Sequence, residues 1–336
     1  MTRVRGLDAV RLLCALWVVM GHFGGPPLLN WVERATVPGW LITGIYANFW
    51  NGPAAVIVFF VISGFCIHYP YSGDLRIPSV VEYLTRRYIR ICIPMAVAIV
   101  LSSRAGISLD LFHGTILWSL AAELIYYTLY PLLLQLRRRG FAWRWMIAVS
   151  YVMAFLVAAT DPASKDYAAF GLSLNWILGL PCWLIGCALA EYVSVGRYPA
   201  PAPIWRCRFW VWGVSVICGI LNFHSPLVQT WTLNPFALIV GWWLAQEIQR
   251  YRTRPVPQSL EYAGQWSYSI YLTHLAANAV VALLALPDFE SAIIWPIRMV
   301  LILAMGYLFY KLIESPAHRL ARFAGRTFAN ESAGKA

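Results

Sequence analysis

Long apolar runs, broken at intervals by short clusters of Arg, Gly and Pro, set the pattern of this chain. Ten runs lie at about 7–24, 53–70, 88–103, 114–136, 143–160, 170–194, 209–224, 232–248, 266–286 and 293–313. A helix needs roughly 20 apolar residues to cross a bilayer, so each reads as a membrane span. The third and seventh runs are short, which keeps nine or eleven spans as alternatives. The pattern predicts an all-α fold, a polytopic transmembrane helix bundle of about ten spans. It forms a single domain over 1–336, with the bundle in 7–313 and a tail in 314–336. The stretch Gly25–Asn51, rich in Gly, Pro and Trp, is the longest connection on the outer side. Two readings fit it: a cover over an outward-facing site, or a segment lying along the interface.

Composition narrows the class. Only 12% of the 336 residues are charged and 60% are hydrophobic, whereas about a quarter of a soluble domain is charged. A net charge of +11 does not point to nucleic acid here, because the basic residues sit between apolar runs in the manner of loop charges. Of the 26 Lys and Arg residues, only Arg34, Arg104, Lys165 and Arg298 fall on one side of the alternating spans. The positive-inside rule then puts both termini, and the tail, in the cytoplasm and favours an even number of spans. A signal peptide at the start is disfavoured, since cleavage would discard residues singled out below. The seven cysteines fall within spans or on the cytoplasmic side, with neither a disulfide framework nor a zinc spacing, so no metal is expected. Cys182 and Cys187 are expected to pack.

Against this apolar background the ionisable residues stand out. Arg11 and His22 share the first run, eleven positions apart, which leaves them about 20° apart around a helix and roughly 16 Å apart along it. An ionisable side chain inside hydrocarbon is costly and usually faces a polar cavity. His22, in the outer half, has the titration range of a general base; a hydrogen bond to a neighbouring helix is the plainer reading. Asp8, three residues before Arg11, offers a local ion pair. Arg86, Arg87 and Arg90 enter the third run from the basic side. They suit either anionic lipid headgroups or a phosphate clamp, to which guanidinium presents a planar fork. Glu123 lies near the middle of the fourth run, with Ser119 and Tyr127 one turn to either side, and it must be paired, neutral or solvated. His274 in the ninth run follows Tyr271 on one face, forming a polar strip that lines a cavity or joins two helices. Ser63-Gly64 suits close helix approach. Glu314, before Pro316, reads as a cap at a helix exit.

The order of these segments adds what none carries alone. RGLDAVRLLCALWVVMGHF, FFVISGF, TRRYIRICIP, LWSLAAELIYYTLYP, YSIYLTHL and KLIESP follow one another from about 5 to 318. In that order they resemble acyltransferase family three, integral membrane enzymes that move acyl groups, mostly acetyl, onto sugars of cell-surface or exported glycans. Arg11 and His22 match its Arg–ten residues–His pair. Arg87 and Arg90 match its Arg-x-x-Arg element; Trp118, Ser119 and Glu123 match Trp-Ser-Leu-x-x-Glu. The resemblance implies acetyl-CoA as donor, docked at Arg86, Arg87 and Arg90. It implies Arg11, His22 and Glu123 as catalytic, and Trp118, Ser119, Tyr271 and His274 as cavity lining. The expected partners are membrane lipid and a carbohydrate or glycolipid acceptor, in a bacterial inner (plasma) membrane, with a homo-oligomer compatible. Only 23 residues separate Pro94 from Trp118, so a shortened third span and outer loop are expected. The rival class is a transporter or flippase of a glycan or lipid-linked intermediate, which also buries His, Glu and Arg but has no use for a cytoplasmic phosphate clamp and should show two matching halves.

Overall fold

The computed structural model describes residues 4–29, 36–109, 116–284 and 292–333, with side chains to 327. Among these residues the chain is all-α, without strands. In order come α1 (Leu7–Phe23), α2 (Val37–Phe49), α3 (Gly52–His68), α4 (Val80–Arg104), α5 (Trp118–Arg138), α6 (Trp143–Thr160) and α7 (Gly171–Ser194). There follow α8 (Ile204–His224), α9 (Gln229–Thr253), α10 (Gln258–Gly264), α11 (Ser267–Ala282), α12 (Ile294–Phe309) and α13 (Ser315–Ala333). A π turn, Tyr310–Glu314, joins the last two.

Among the described residues five segments are long and apolar enough to cross a membrane: Val37–Tyr71, Trp143–Thr160, Ala168–Ser194, Ile204–His224 and Ile294–Thr327. The other long helices, α1, α4, α5, α9 and α11, are shorter or carry the polar residues from which the interior is built. Apolar side chains face outward as well as inward. On α6, Trp145, Val149, Val152 and Leu156 are exposed at helical spacing, an arrangement that hydrocarbon stabilises and water does not.

Two runs that read as short are not. The third continues as the 25 residues of α4, because the basic turns before it are also helical. Ser79 caps them, accepting from the Glu82 amide at 3.2 Å, in the spacing of a capping box. The helix passes through Pro94 to Arg104, so the expected shortening of the third span is corrected. Of the connection to Trp118, residues 110–115 lie outside the described residues. The seventh run likewise starts early, at Ile204. Part of the outer stretch Gly25–Asn51 is helical: Thr36 caps α2 at the Gly39 amide, and α2 packs on α8. The segment after 314, read as a tail, is helix α13. It sets Ala317, Ala321 and Gly325 inward, at four-residue spacing, against α4.

α1 and α3 run antiparallel, whereas α3, α5 and α7 run in the same direction, which sorts side chains by end. The start of α3 meets the far end of α1, where Gly52 lies against Val18. Its other end meets α5 and α7 in a polar knot. There buried His68 contacts the Tyr130 hydroxyl at 2.8 Å and lies 3.4 Å from Glu191. Arg137 holds the same carboxylate with two hydrogen bonds of 2.8 and 2.9 Å.

The most extensive pairing, α3 with α7, depends on two glycines. A Cβ at Gly64 would stand 1.9 Å from the Trp183 carbonyl oxygen, and one at Gly186 would stand 2.0 Å from that of Val61. Both obstacles are backbone, so only separation of the helices would relieve the clash. This is the small-residue packing by which helices associate where no hydrophobic drive exists between them. Gly64→Ala and Gly186→Ala should each lower the melting temperature of the detergent-purified protein, at a cost of about 1–3 kcal/mol or more from overpacking. Gly213→Ala in α8, where a Cβ meets nothing within 4 Å, should leave it unchanged or slightly raised. Equal behaviour of the three variants would refute the close-packing account.

Candidate functional site

Three helices carry the polar interior, and each contributes at two levels. α1 presents Arg11 near its start and His22 near its end, α5 presents Trp118 and Ser119 and then Glu123 and Tyr127, and α11 presents Ser269 and then Tyr271 and His274. Their directions match these levels, so two clusters form.

In the first cluster Arg11 pairs with Asp8 at 3.3 Å, the local partner expected from their spacing. Its other electrostatic neighbours are Cys66, Tyr127 and Glu123. The Arg87 guanidinium lies over the rings of Tyr127 and Tyr83, at 5.6 and 6.0 Å from their centroids. Arg90 stands among Arg87, Arg11, Glu314 and Tyr127. It is nevertheless exposed, and Arg11 keeps 26% of its side-chain surface accessible. α4 is flanked by α5, α11, α13 and the π turn. Arg86 is engaged elsewhere. It forms an ion pair with Glu82, and its stem lies where a Cβ on Gly325 of α13 would be.

Glu123 is held by its surroundings. One carboxylate oxygen accepts from the Ser63 hydroxyl at 2.5 Å and from the Tyr127 hydroxyl. Ser63 in turn accepts from the Trp183 indole at 3.3 Å. The chain Trp183→Ser63→Glu123 explains why serine stands beside Gly64: the glycine brings α7 close enough for its indole to reach. Ser119, one turn away, belongs to the other cluster. Glu314 does not cap the bundle. It is buried, accepts from the Ser269 hydroxyl at 2.5 Å and lies 3.5 Å from His318. It also acts on Arg90 and Arg11. Pro316 has no amide to offer Leu312, and the wide π turn absorbs the missing bond while aiming Glu314 inward.

The second cluster faces a cavity of about 330 Å³, lined by His22, Trp118, Tyr271, Trp50, Tyr167, Asp166 and the side-chain amides of Asn48, Asn51, Asn222 and Gln229. Trp118 and Tyr167 stack in parallel at 5.3 Å. Tyr271 donates to the Ile116 carbonyl at 2.8 Å and accepts from Ser119, also at 2.8 Å. The His22 and His274 rings are 5.0 Å apart, centre to centre. Asn48, Asn51, Asn222 and Gln229 were not singled out in the sequence; lone amides in or beside apolar runs carry no spacing signal. Among the described residues no group of three or more metal-ligating side chains occurs. Cys182 and Cys187 lie against the Asn234 side chain and the Gly64 carbonyl.

The arrangement thus has guanidinium groups gathered at one level and a cavity with an imidazole at the other, with α1, α5 and α11 contributing to both. Comparison with known proteins gives this architecture a family. The chain is 25% identical over 173 residues to acyltransferase MdmB of Streptomyces mycarofaciens; the aligned stretch is 47% of this chain and 43% of that relative, so less than half the relative is spanned. No solved structure matches. The acyltransferase domain family matches over residues 4–311, which takes in α1, α4, α5 and α11, and the chain belongs to that family.

Proposed function

We propose that this protein transfers an acetyl group from cytoplasmic acetyl-CoA to a hydroxyl of an extracytoplasmic or lipid-linked carbohydrate, with His22 as general base. What carries this reading is the division of the polar interior: guanidinium groups gather at one level and an imidazole faces an aromatic, amide-lined cavity at the other. On this reading the ten long helices α1, α3–α9, α11 and α12 all cross the bacterial inner membrane, with both termini in the cytoplasm.

The donor carries several phosphate charges, and Arg87 and Arg90 offer guanidinium groups to them. Its uncharged arm extends between α1, α5 and α11 toward His22. The distance is bounded by the roughly 16 Å that separates Arg11 from His22 along α1. Arg11, beside the path, suits a phosphate or the thioester oxygen. The acceptor enters the outer cavity, where aromatic faces suit a sugar ring and amides offer both donors and acceptors to its hydroxyls. The buried side-chain Oδ1 of Asn222, without a hydrogen-bond partner among the described residues, is one such acceptor.

In the step itself His22 takes the hydroxyl proton, the oxygen forms its bond to the thioester carbon, and the carbon–sulfur bond breaks. The proton then passes to the departing thiolate. Glu123 keeps Arg11 compensated, with Ser63 and Tyr127 fixing its direction.

Three outcomes are expected. His22→Ala should lower turnover of acetyl-CoA by about 10²- to 10⁴-fold, the usual contribution of a positioned base, while its binding, read by calorimetry in detergent, stays within twofold. Retained turnover would remove His22 from the chemistry. Arg87→Ala/Arg90→Ala should weaken acetyl-CoA binding by about tenfold or more, at about 1.4 kcal/mol per decade, whereas Arg86→Ala should change it little. Absence of binding to folded wild-type protein would instead favour a transporter or flippase. Glu123→Gln should cut turnover about tenfold or more by leaving Arg11 less compensated; full activity would mark the carboxylate as a packing element.

A further inference from the structure

We infer that His274 is a positioning residue for His22: its Nε2 accepts the N–H of the His22 ring, fixing that imidazole's tautomer and aim and leaving its other nitrogen bare toward the outer cavity. The inference rests on the reading of His22 as base and adds the group that orients it.

Five observations lead there. His274 is fully enclosed, at 0% exposure. Its Nδ1 lies 2.8 Å from the Tyr271 carbonyl oxygen. A carbonyl can only accept, so Nδ1 carries the hydrogen and the neutral ring keeps a bare lone pair on Nε2. That Nε2 is buried without a hydrogen-bond partner among the described residues, a condition that ordinarily costs about 1–3 kcal/mol. Phe23 packs against the ring edge-to-face, with centroids 5.8 Å apart. His22 is 5.0 Å away, centre to centre, tilted by 44°. Two imidazoles that share one N–H···N bond of ordinary length have centroids about 5 Å apart, so rotation of the exposed His22 ring brings the donor to the waiting lone pair.

The physical advantage is specific to this location. A base needs a third group to hold its ring, and a carboxylate is the common choice in water-filled sites. Within an apolar bundle a carboxylate would bring a charge that needs its own counterion. A neutral imidazole, anchored by a helix carbonyl, supplies the same acceptor without one. The Tyr271 backbone thereby fixes His274, and His274 fixes His22. The Tyr271 side chain meanwhile bonds Ser119 and the Ile116 carbonyl at the cavity wall.

The test uses the full chain in lipid nanodiscs with ¹⁵N-labelled histidine, of which there are six. His22 is assigned by its loss in His22→Ala. Wild-type His22 should show one neutral tautomer, His274→Ala should show an average of two, and His274→Gln, whose amide oxygen still accepts, should return the single tautomer. Release of CoA from acetyl-CoA, with water as acceptor, should fall by about tenfold or more in His274→Ala and recover partly in His274→Gln, with acetyl-CoA affinity unchanged. Averaged tautomers in the wild type, or a single tautomer that survives His274→Ala, would overturn the inference. Should His274→Ala not fold, the wild-type spectrum decides alone. The base reading fails separately, through undiminished CoA release in His22→Ala.

Discussion

Where α3 crosses α7, backbone meets backbone at Gly64 and Gly186, and the functional interior hangs on that contact. The absence of two Cβ atoms lets the Trp183 indole reach Ser63, which turns its own proton toward Glu123. Glu123 then stands where it compensates Arg11, whose other partner is Asp8. In a medium that does not solvate charge, each member of such a series needs the next. A loss of packing between two apolar helices is therefore felt as a misplaced carboxylate on a third. Stability and chemistry share one set of atoms here, and a variant at Gly64 acts on both.

The two clusters face opposite demands, and the walls reflect it. At the first one, Arg11, Arg87 and Arg90 tolerate each other's charge because Asp8, Glu123 and Glu314 are near. At the second one the groups are neutral amides, hydroxyls and imidazoles on aromatic faces, with Asp166 as the acidic lining residue. Helices α1, α5 and α11 contribute to both clusters, so the two are joined through rigid helices rather than through loops.

Much of this was legible in the sequence, for physical reasons. Nine of the ten apolar runs start within five residues of a helix start, as hydropathy alone predicts, whereas the third helix starts eight residues before its run, at Val80, because its first turns are polar. Of the residues read together as catalytic, Arg11 and Glu123 fall with Arg87 and Arg90, while His22 falls with Trp118, Tyr271 and His274. What escaped depends on helix register across the bundle. Arg86 differs from Arg87 by one position, yet that rotation turns it onto Gly325. Ser119 and Tyr127 lie symmetrically about Glu123 in sequence, yet only Tyr127 bonds it. Glu314 was misread because a proline two residues on usually marks a helix end, whereas here the chain continues through a wider turn. Helix α2 was missed because its short apolar stretch is broken by Pro38 and Gly39.

That wider turn has a consequence for how this region tolerates change. A π turn holds one residue more than an α turn, so its length, rather than its composition, aims Glu314 at Arg90. Substitutions at its outward positions, such as the exposed Lys311 and Leu312, leave the turn count intact. A single-residue deletion between Tyr310 and Glu314 returns the segment to regular helix and rotates everything before it by about 100° relative to α13. Ser269 and Arg90 then lose their carboxylate although no residue they touch has been replaced. In this stretch the spacing of the chain is itself the conserved quantity to look for, and gaps rather than mismatches are the informative differences between related sequences.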